Sequence, residues 1–145
     1  AARADDFSTW RFFTGSSWSP KSSDAARITD QAVNEHTVES IVYKGKRRLL
    51  LVESQPVFGK HVLVRTAGSP EGPWSELKKV FLVGNLEKGK HKRFTYAGKG
   101  HAHLSVPGEL LISYVINSHN FWDMVGDASI YRPRFIRVPL DSIFD

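Results

Sequence analysis

No cysteine occurs among the 145 residues of this sequence. Its absence excludes disulfide bonds, thiolate metal sites and cysteine nucleophiles. No apolar run approaches the roughly 20 residues that a membrane-spanning helix needs, so we expect no membrane partner. The first residues lack the charged and then apolar pattern of a signal peptide. No segment shows a clear 3.6-residue apolar period, and the sequence therefore predicts very little helix.

Charge and composition are those of an ordinary folded domain. Hydrophobic residues make up 41% and charged residues 24%, and the net charge is +5. Basic residues cluster at 44–48 and 87–93, which would suit phosphate or acidic polysaccharide. We favour two solvated hairpin tips whose lysines protect strand edges, because no nucleic-acid-binding motif accompanies the charge. Binding of an anionic polymer stays an alternative, and we expect no nucleic-acid partner.

Short β-strands separated by polar turns are predicted along the whole chain. Apolar residues flank Lys44-Gly45-Lys46 as a hairpin requires, and a Pro-Gly turn at Pro107-Gly108 has similar flanks. At most one helical turn is expected near residues 118–129. The remaining predicted strands lie at 25–29, 60–67, 78–84, 101–106, 109–118 and 128–140.

The spacing of these strands suggests repeated four-stranded units. Four strands in about 50 residues is the size of a propeller blade. We expect an all-β chain with one antiparallel blade at 34–84, another at 94–140, and the outer strands of a third at 7–30. From the pattern alone, a single β-sandwich or barrel of about eight strands is an equal alternative.

A family resemblance extends over nearly the whole chain. The segments that carry it are WRFFTGSSWSP, NEHTVESIVYKGKRRLLLVES, SPEGPWS, TYAGKGHAHLS, GELLISYVINS and YRPRFIRVPL. In this order they resemble the C-terminal half of a family of mostly secreted five-bladed β-propellers of unassigned activity. That family is similar to arabinanase- and xylosidase-type glycoside hydrolases. The resemblance implies about two and a half blades, completed by an N-terminal half or a second chain.

Two glutamates are candidates for a catalytic acid. In the resembled glycosidases, a glutamate at the start of an inner strand protonates the leaving oxygen, and Glu35 matches that place best. Glu39 is the fallback. For either residue the alternative is a structural one, as a loop cap or an arginine partner. The second catalytic carboxylate of such enzymes is an aspartate, which the resemblance places in blades that this sequence lacks.

The resemblance also implies residues that bind ligand. His101 matches a histidine that faces the propeller axis and helps to hold a hydrated cation, usually Ca²⁺, beneath the sugar. On a strand, His101 and His103 would point to the same face, but zinc would need a third ligand. No cofactor is therefore required by the sequence. Other candidates for sugar contact are Lys99, Tyr96 and Trp122.

These observations predict a glycoside-hydrolase-like propeller that acts on polysaccharide or oligosaccharide at its axial mouth. A non-catalytic propeller that binds glycan, or that builds an extracellular assembly, is the alternative. Secretion is expected from the resemblance only.

Overall fold

The computed structural model describes residues 4–30, 32–57, 59–87 and 91–144, and it is all-β with antiparallel sheets, as predicted. Sheet A has two short strands, sheet B has four in the order β3-β4-β5-β6, and sheet C has three in the order β7-β8-β9. The strands are β1 (Phe12–Phe13), β2 (Trp18–Ser19), β3 (His36–Tyr43), β4 (Lys46–Ser54), β5 (His61–Ala67), β6 (Lys78–Leu82), β7 (Arg93–Gly100), β8 (Glu109–Ser118) and β9 (Arg134–Pro139).

Helical structure is confined to short segments. Helix α1 spans Phe121–Gly126, where at most one turn was expected, and Asn120 caps it by accepting from the Trp122 backbone N–H. Helix α2, Leu140–Phe144, was not predicted. Single 3₁₀ turns lie at Phe7–Thr9, Ser22–Asp24 and Ala102–Leu104. Within the described ranges, no helix is long and apolar enough to cross a membrane.

Sheet B follows the predicted hairpin closely. Strands β3 and β4 pair from His36↔Glu53 to Tyr43↔Lys46 around a two-residue turn. Lys44 and Gly45 both have positive φ, the conformation that such turns require. Strand β4 lies between β3 and β5, and its residues 49–54 are buried on both faces, whereas the edge strand β3 alternates between exposed and half-buried residues.

Sheet C differs from the prediction at its first strand. The strand predicted at 101–106 is wrong, because β7 ends at Gly100 and a 3₁₀ turn follows. Gly98 and Gly100 lie inside β7, where they let it approach sheet B. A Cβ on Gly98 would lie 2.8 Å from the Glu53 carbonyl carbon, and one on Gly100 would lie 2.6 Å from the Glu39 Cγ. The strand predicted at 25–29 is also wrong, since no strand is formed there.

One apolar core joins sheets B and C. The fully buried side chains of Leu50 and Val52 on β4 face those of Leu110 and Ile112 on β8. Burial of such side chains contributes roughly 1.5–3 kcal/mol each. The two sheets therefore form one packed unit, with β7 lying against β3 and β4.

The connections between strands lie at two opposite ends of this unit. The β4–β5 and β6–β7 connections meet, because the Val83 and Thr95 backbone N–H groups donate to carbonyls of Lys60 and Gly59. The β8–β9 connection joins them at the start of β7. We call this the upper end. The lower end holds the β3–β4 turn, the β7–β8 connection and α2. The proposed division into blades at 7–30, 34–84 and 94–140 stays a prediction.

Candidate functional site

A small cleft opens at the upper end beside Glu35. The residue directly precedes β3 and is exposed. The cleft has a volume of about 160 Å³ and lies between the start of β3, the β4–β5 connection and the middle of β7. It is lined by Val33, Asn34, Glu35, Ser54, Gln55, Pro56, Val57, Thr95, Tyr96 and Ala97. We call it the Glu35 cleft. Among the described residues that line it, Glu35 supplies the one carboxylate.

A β-bulge places two predicted residues on the same face of sheet C. Tyr96 pairs with Val115 and Lys99 pairs with Ser113, so three steps along β7 correspond to two along β8. Without the bulge, Tyr96 and Lys99 would point to opposite faces. The Lys99 ammonium then donates to the His36 carbonyl at 3.2 Å, next to Glu35 in the chain. The structure therefore brings Glu35, Tyr96 and Lys99 to one region.

Tyr96 lies in a polar and partly buried setting. Burial, a hydrogen bond to Tyr131 and the nearby Glu35 carboxylate raise the pKa of Tyr96 to about 12, against the effect of a hydrogen bond to Asn117. The rings of Tyr96 and Tyr131 lie 6.5 Å apart. The phenol of Tyr96 is therefore protonated at neutral pH and is available to a ligand as a hydrogen-bonding group.

The fallback acid, Glu39, belongs to a different place. Its Oε2 accepts from the Ala102 backbone N–H at 3.0 Å and thereby ties β3 to the β7–β8 connection. Glu39 and His103 line a larger cleft of about 550 Å³, which extends to Leu140 toward the lower end. This contact supports the structural interpretation of Glu39.

His101 and His103 do not share a strand face, since β7 ends before them. The His101 Nε2 lies 2.8 Å from the Ser113 hydroxyl, and the two imidazole rings meet edge-on at 6.2 Å. In the described part of the chain, no three His, Asp or Glu side chains come together to hold a metal. A hydrated cation held through water beside His101 stays a prediction, and we assign no chemical step to it.

Trp122 lies on α1 and does not line the Glu35 cleft. Its side chain is 72% exposed and meets Phe121 edge-on at 5.6 Å between ring centroids. The helix is held by Asp123, which accepts from the Ser118 hydroxyl at 2.6 Å and contacts the His91 Nδ1 at 2.9 Å. These contacts lower the pKa of Asp123, the Ser118 hydrogen bond more than the His91 one. Trp122 is thus an exposed aromatic surface on a firmly held helix.

Sequence reasoning missed the buried carboxylate of Glu53. Glu53 is fully buried, and its Oε2 accepts from the Val33 backbone N–H at 2.9 Å, while Oε1 has no hydrogen-bond partner among the described residues. This bond fixes the backbone two residues before Glu35. A glutamate at the end of a predicted strand gave no signal of burial, because its covering segment comes from 20 residues earlier in the chain.

The two basic clusters do not form one surface. The described residues of 44–48 lie at the lower end, while those of 87–93 lie at the upper end. Several of the charges are paired: Lys44 with Asp141 at 3.8 Å, Arg93 with Asp127 at 3.6 Å, and Glu87 with Lys60. Residues 88–90 lie outside the described ranges. This arrangement favours separate solvated tips.

Comparison with known proteins gives the same class of fold. The crystal structure of a "putative hydrolase" from Bacteroides ovatus is similar over 84% of this chain, with a TM-score of 0.64 and 28% identity. The chain spans about a third (32%) of that protein's length. The two proteins therefore share a fold over the matched region. Residues 1–140 match the family described as "Domain of unknown function (DUF5005)", and the chain belongs to that family. A search of curated protein sequences found no match.

Proposed function

We propose that this chain forms part of a glycoside hydrolase whose catalytic acid is Glu35. The observation that carries the proposal is the position of Glu35, which is exposed directly before β3 and lines a cleft together with Tyr96. The hydrolase-like fold supports the reaction class, and the resemblance to arabinanase- and xylosidase-type enzymes supports a polysaccharide or oligosaccharide substrate.

The chemistry sets two further requirements. A glycosidase needs two carboxylates across the scissile bond, and the Glu35 cleft offers one. Asp123 and Asp127 do not line the cleft, and both are held by hydrogen bonds in and around α1. We therefore propose that an aspartate comes from the rest of the whole protein, either an N-terminal half or a second chain. A general acid must also keep its proton near neutral pH, which burial or a neighbouring carboxylate can provide, and we propose that bound substrate or that further part of the protein provides it.

A glycan-binding protein without catalysis is the second candidate. It is favoured by the single carboxylate in the cleft and by the exposure of Glu35. Binding would need the Tyr96 hydroxyl, the aromatic surfaces and Lys99, but no proton donor.

Replacement of Glu35 by Gln in the whole protein separates the two functions. We expect Glu35→Gln to abolish release of reducing sugar from arabinan or xylan while binding is kept. The matched control is Glu39→Gln, which retains an acceptor oxygen for the Ala102 N–H and should stay active. Activity kept in Glu35→Gln and lost in Glu39→Gln would assign the acid to Glu39. Binding without hydrolysis in the wild type would favour the glycan-binding protein.

A further inference from the structure

A further cleft opens at the lower end, between α2 and the connection from β5 to β6. It has a volume of about 380 Å³, within the roughly 300–1,000 Å³ of typical small-molecule sites. Arg48 lines it from β4, Thr66 from β5, Trp74 and Ser75 from the β5–β6 connection, and Phe144 from α2. We call it the Arg48 cleft. None of the described residues that line it also lines the Glu35 cleft.

Strand pairing directs Arg48 and Thr66 toward the same side of sheet B. Arg48 lies two residues before Leu50 on β4, and Leu50 pairs with Thr66 on β5. Because side chains alternate along a strand, all three lie on the face that carries the core between the sheets. The apolar face of sheet B therefore ends, at the lower end, in a guanidinium and a hydroxyl group.

The Arg48 guanidinium is half-buried and has no hydrogen bond or ion pair with any described residue. The other buried or half-buried arginines in the described ranges all have acceptors, namely Arg65, Arg93 and Arg134. A guanidinium carries several N–H donors, and its withdrawal from water is costly when no acceptor replaces the water. An acceptor brought by a ligand would remove that cost.

The Thr66 hydroxyl is a second polar group that is available in the cleft. It makes no hydrogen bond to the part of the chain that the structure describes, although the Thr66 backbone is engaged on both sides. The Thr66 N–H donates to the Ser75 hydroxyl at 2.9 Å, and the Thr66 carbonyl accepts from the Ser75 N–H at 2.8 Å. These two bonds fix the β5–β6 connection against β5.

Two aromatic rings form the walls of the cleft. The Trp74 indole N–H donates to the Pro70 carbonyl at 3.2 Å. Phe144 stacks on Tyr43 with ring centroids 4.4 Å apart, and the Tyr43 hydroxyl donates to Asp141 at 2.6 Å. Both rings are therefore fixed before a ligand binds. Aromatic side chains offer a large and rigid apolar surface, which suits a ligand that contains a ring.

We infer that the Arg48 cleft binds a uronic acid, which is a sugar ring that carries a carboxylate. The planar guanidinium of Arg48 matches a carboxylate through two parallel hydrogen bonds. The Thr66 hydroxyl binds a hydroxyl group of the ring, and the aromatic walls hold the ring itself. One guanidinium balances the single charge of a carboxylate, whereas a phosphate monoester carries nearly two charges. The carboxylate rests on Arg48, and the choice of a sugar rests on the proposed function.

The test is calorimetric binding of glucuronate to the whole protein, compared with glucose, benzoate and inorganic phosphate. Glucose has no carboxylate and should bind at least about tenfold more weakly than glucuronate. Arg48→Met keeps an unbranched side chain without the guanidinium and should weaken glucuronate binding by about ten- to hundredfold. Thr66→Val replaces the hydroxyl by a methyl group and should weaken it by about two- to tenfold.

The matched control is Arg47→Met, which changes the net charge by the same amount. Arg47 is exposed, donates to the Ser40 hydroxyl at 2.9 Å and does not line the cleft, so glucuronate affinity should be unchanged. Arg48→Met breaks no hydrogen bond to the described residues and should keep the wild-type melting temperature. A loss of affinity in Arg48→Met would then not be due to unfolding.

Absent glucuronate binding, equal affinities of Arg47→Met and Arg48→Met, equal binding of glucose and glucuronate, or tighter binding of phosphate overturns the inference. Binding of benzoate through Arg48 without binding of glucuronate would overturn the assignment to a sugar. Hydrolysis that Glu35→Gln abolishes, in a protein that does not bind glucuronate, would keep the proposed function and reject the Arg48 site. Glucuronate binding that depends on Arg48, without hydrolysis, would keep the site and reject the enzyme.

Discussion

The close contact of β7 with sheet B gives a sharp stability prediction for Gly98→Ala. A Cβ at this position would lie 2.8 Å from the Glu53 carbonyl carbon, 2.9 Å from the Ser54 nitrogen and 3.0 Å from the Glu53 oxygen. All three are backbone atoms, so no side-chain rotation can make room. The Gly98 N–H also donates to the Ser54 hydroxyl at 2.9 Å, and this buried bond would lengthen as the strands separate.

The expected magnitude follows from two opposing effects. Forcing an extra methyl group into a packed interface costs about 1–3 kcal/mol, and weakening the buried hydrogen bond adds about 0.5–1.5 kcal/mol. Replacement of a strand glycine by alanine stabilises the folded state by about 0.5–1 kcal/mol, and this gain applies here because Gly98 is not in the left-handed region. We expect a net loss of about 1–3 kcal/mol, which lowers the melting temperature by roughly 3–10 °C in a chain of this size.

Urea unfolding followed by circular dichroism measures this loss directly. The matched control is Gly68→Ala, at an exposed glycine with no atom within 4 Å of its added Cβ and no positive φ. The control should be as stable as the wild type or slightly more so. Equal stability of Gly98→Ala and Gly68→Ala would refute the close packing of β7 on β4.

Two further predictions concern titration. The pKa of Asp123 is lowered by its bonds to Ser118 and His91 from an ordinary value of 3.8, so its contribution to stability is full above that value and is lost as pH falls through the lower folded-state pKa. In Asp123→Asn, the melting temperature should therefore fall less steeply below about pH 4 than in the wild type. An equally steep fall in both proteins, measured by thermal melts, would contradict this prediction. Tyr131→Phe should move the pKa of Tyr96 down from about 12 toward its ordinary value of 10.0, because a hydrogen bond that raises it is lost. Alkaline absorbance titration measures the tyrosinate, and an unchanged ionisation of Tyr96 at high pH, after allowance for the one tyrosine removed, would rule out the Tyr96–Tyr131 bond.

Sheet B could be predicted from the sequence because its signals are local. The alternation of exposed and half-buried residues along β3 and the turn at Lys44-Gly45 are both determined by residues that are close together in the chain. The strand β7 was missed because its glycines were interpreted as a turn. Their real role depends on β3 and β4, more than 40 residues earlier, and no local pattern reports that approach.

The candidate site could be predicted only in part, because its contacts also join residues that are distant in the chain. The sequence favoured Glu35 over Glu39 through the family resemblance, but no pattern of the residues themselves indicated what either carboxylate contacts. The structure separates them because the β7–β8 connection supplies the Ala102 N–H that binds Glu39, while nothing in the described ranges covers Glu35. His101 was placed on a strand that ends one residue earlier, so the predicted pairing of the two histidines on one face was wrong.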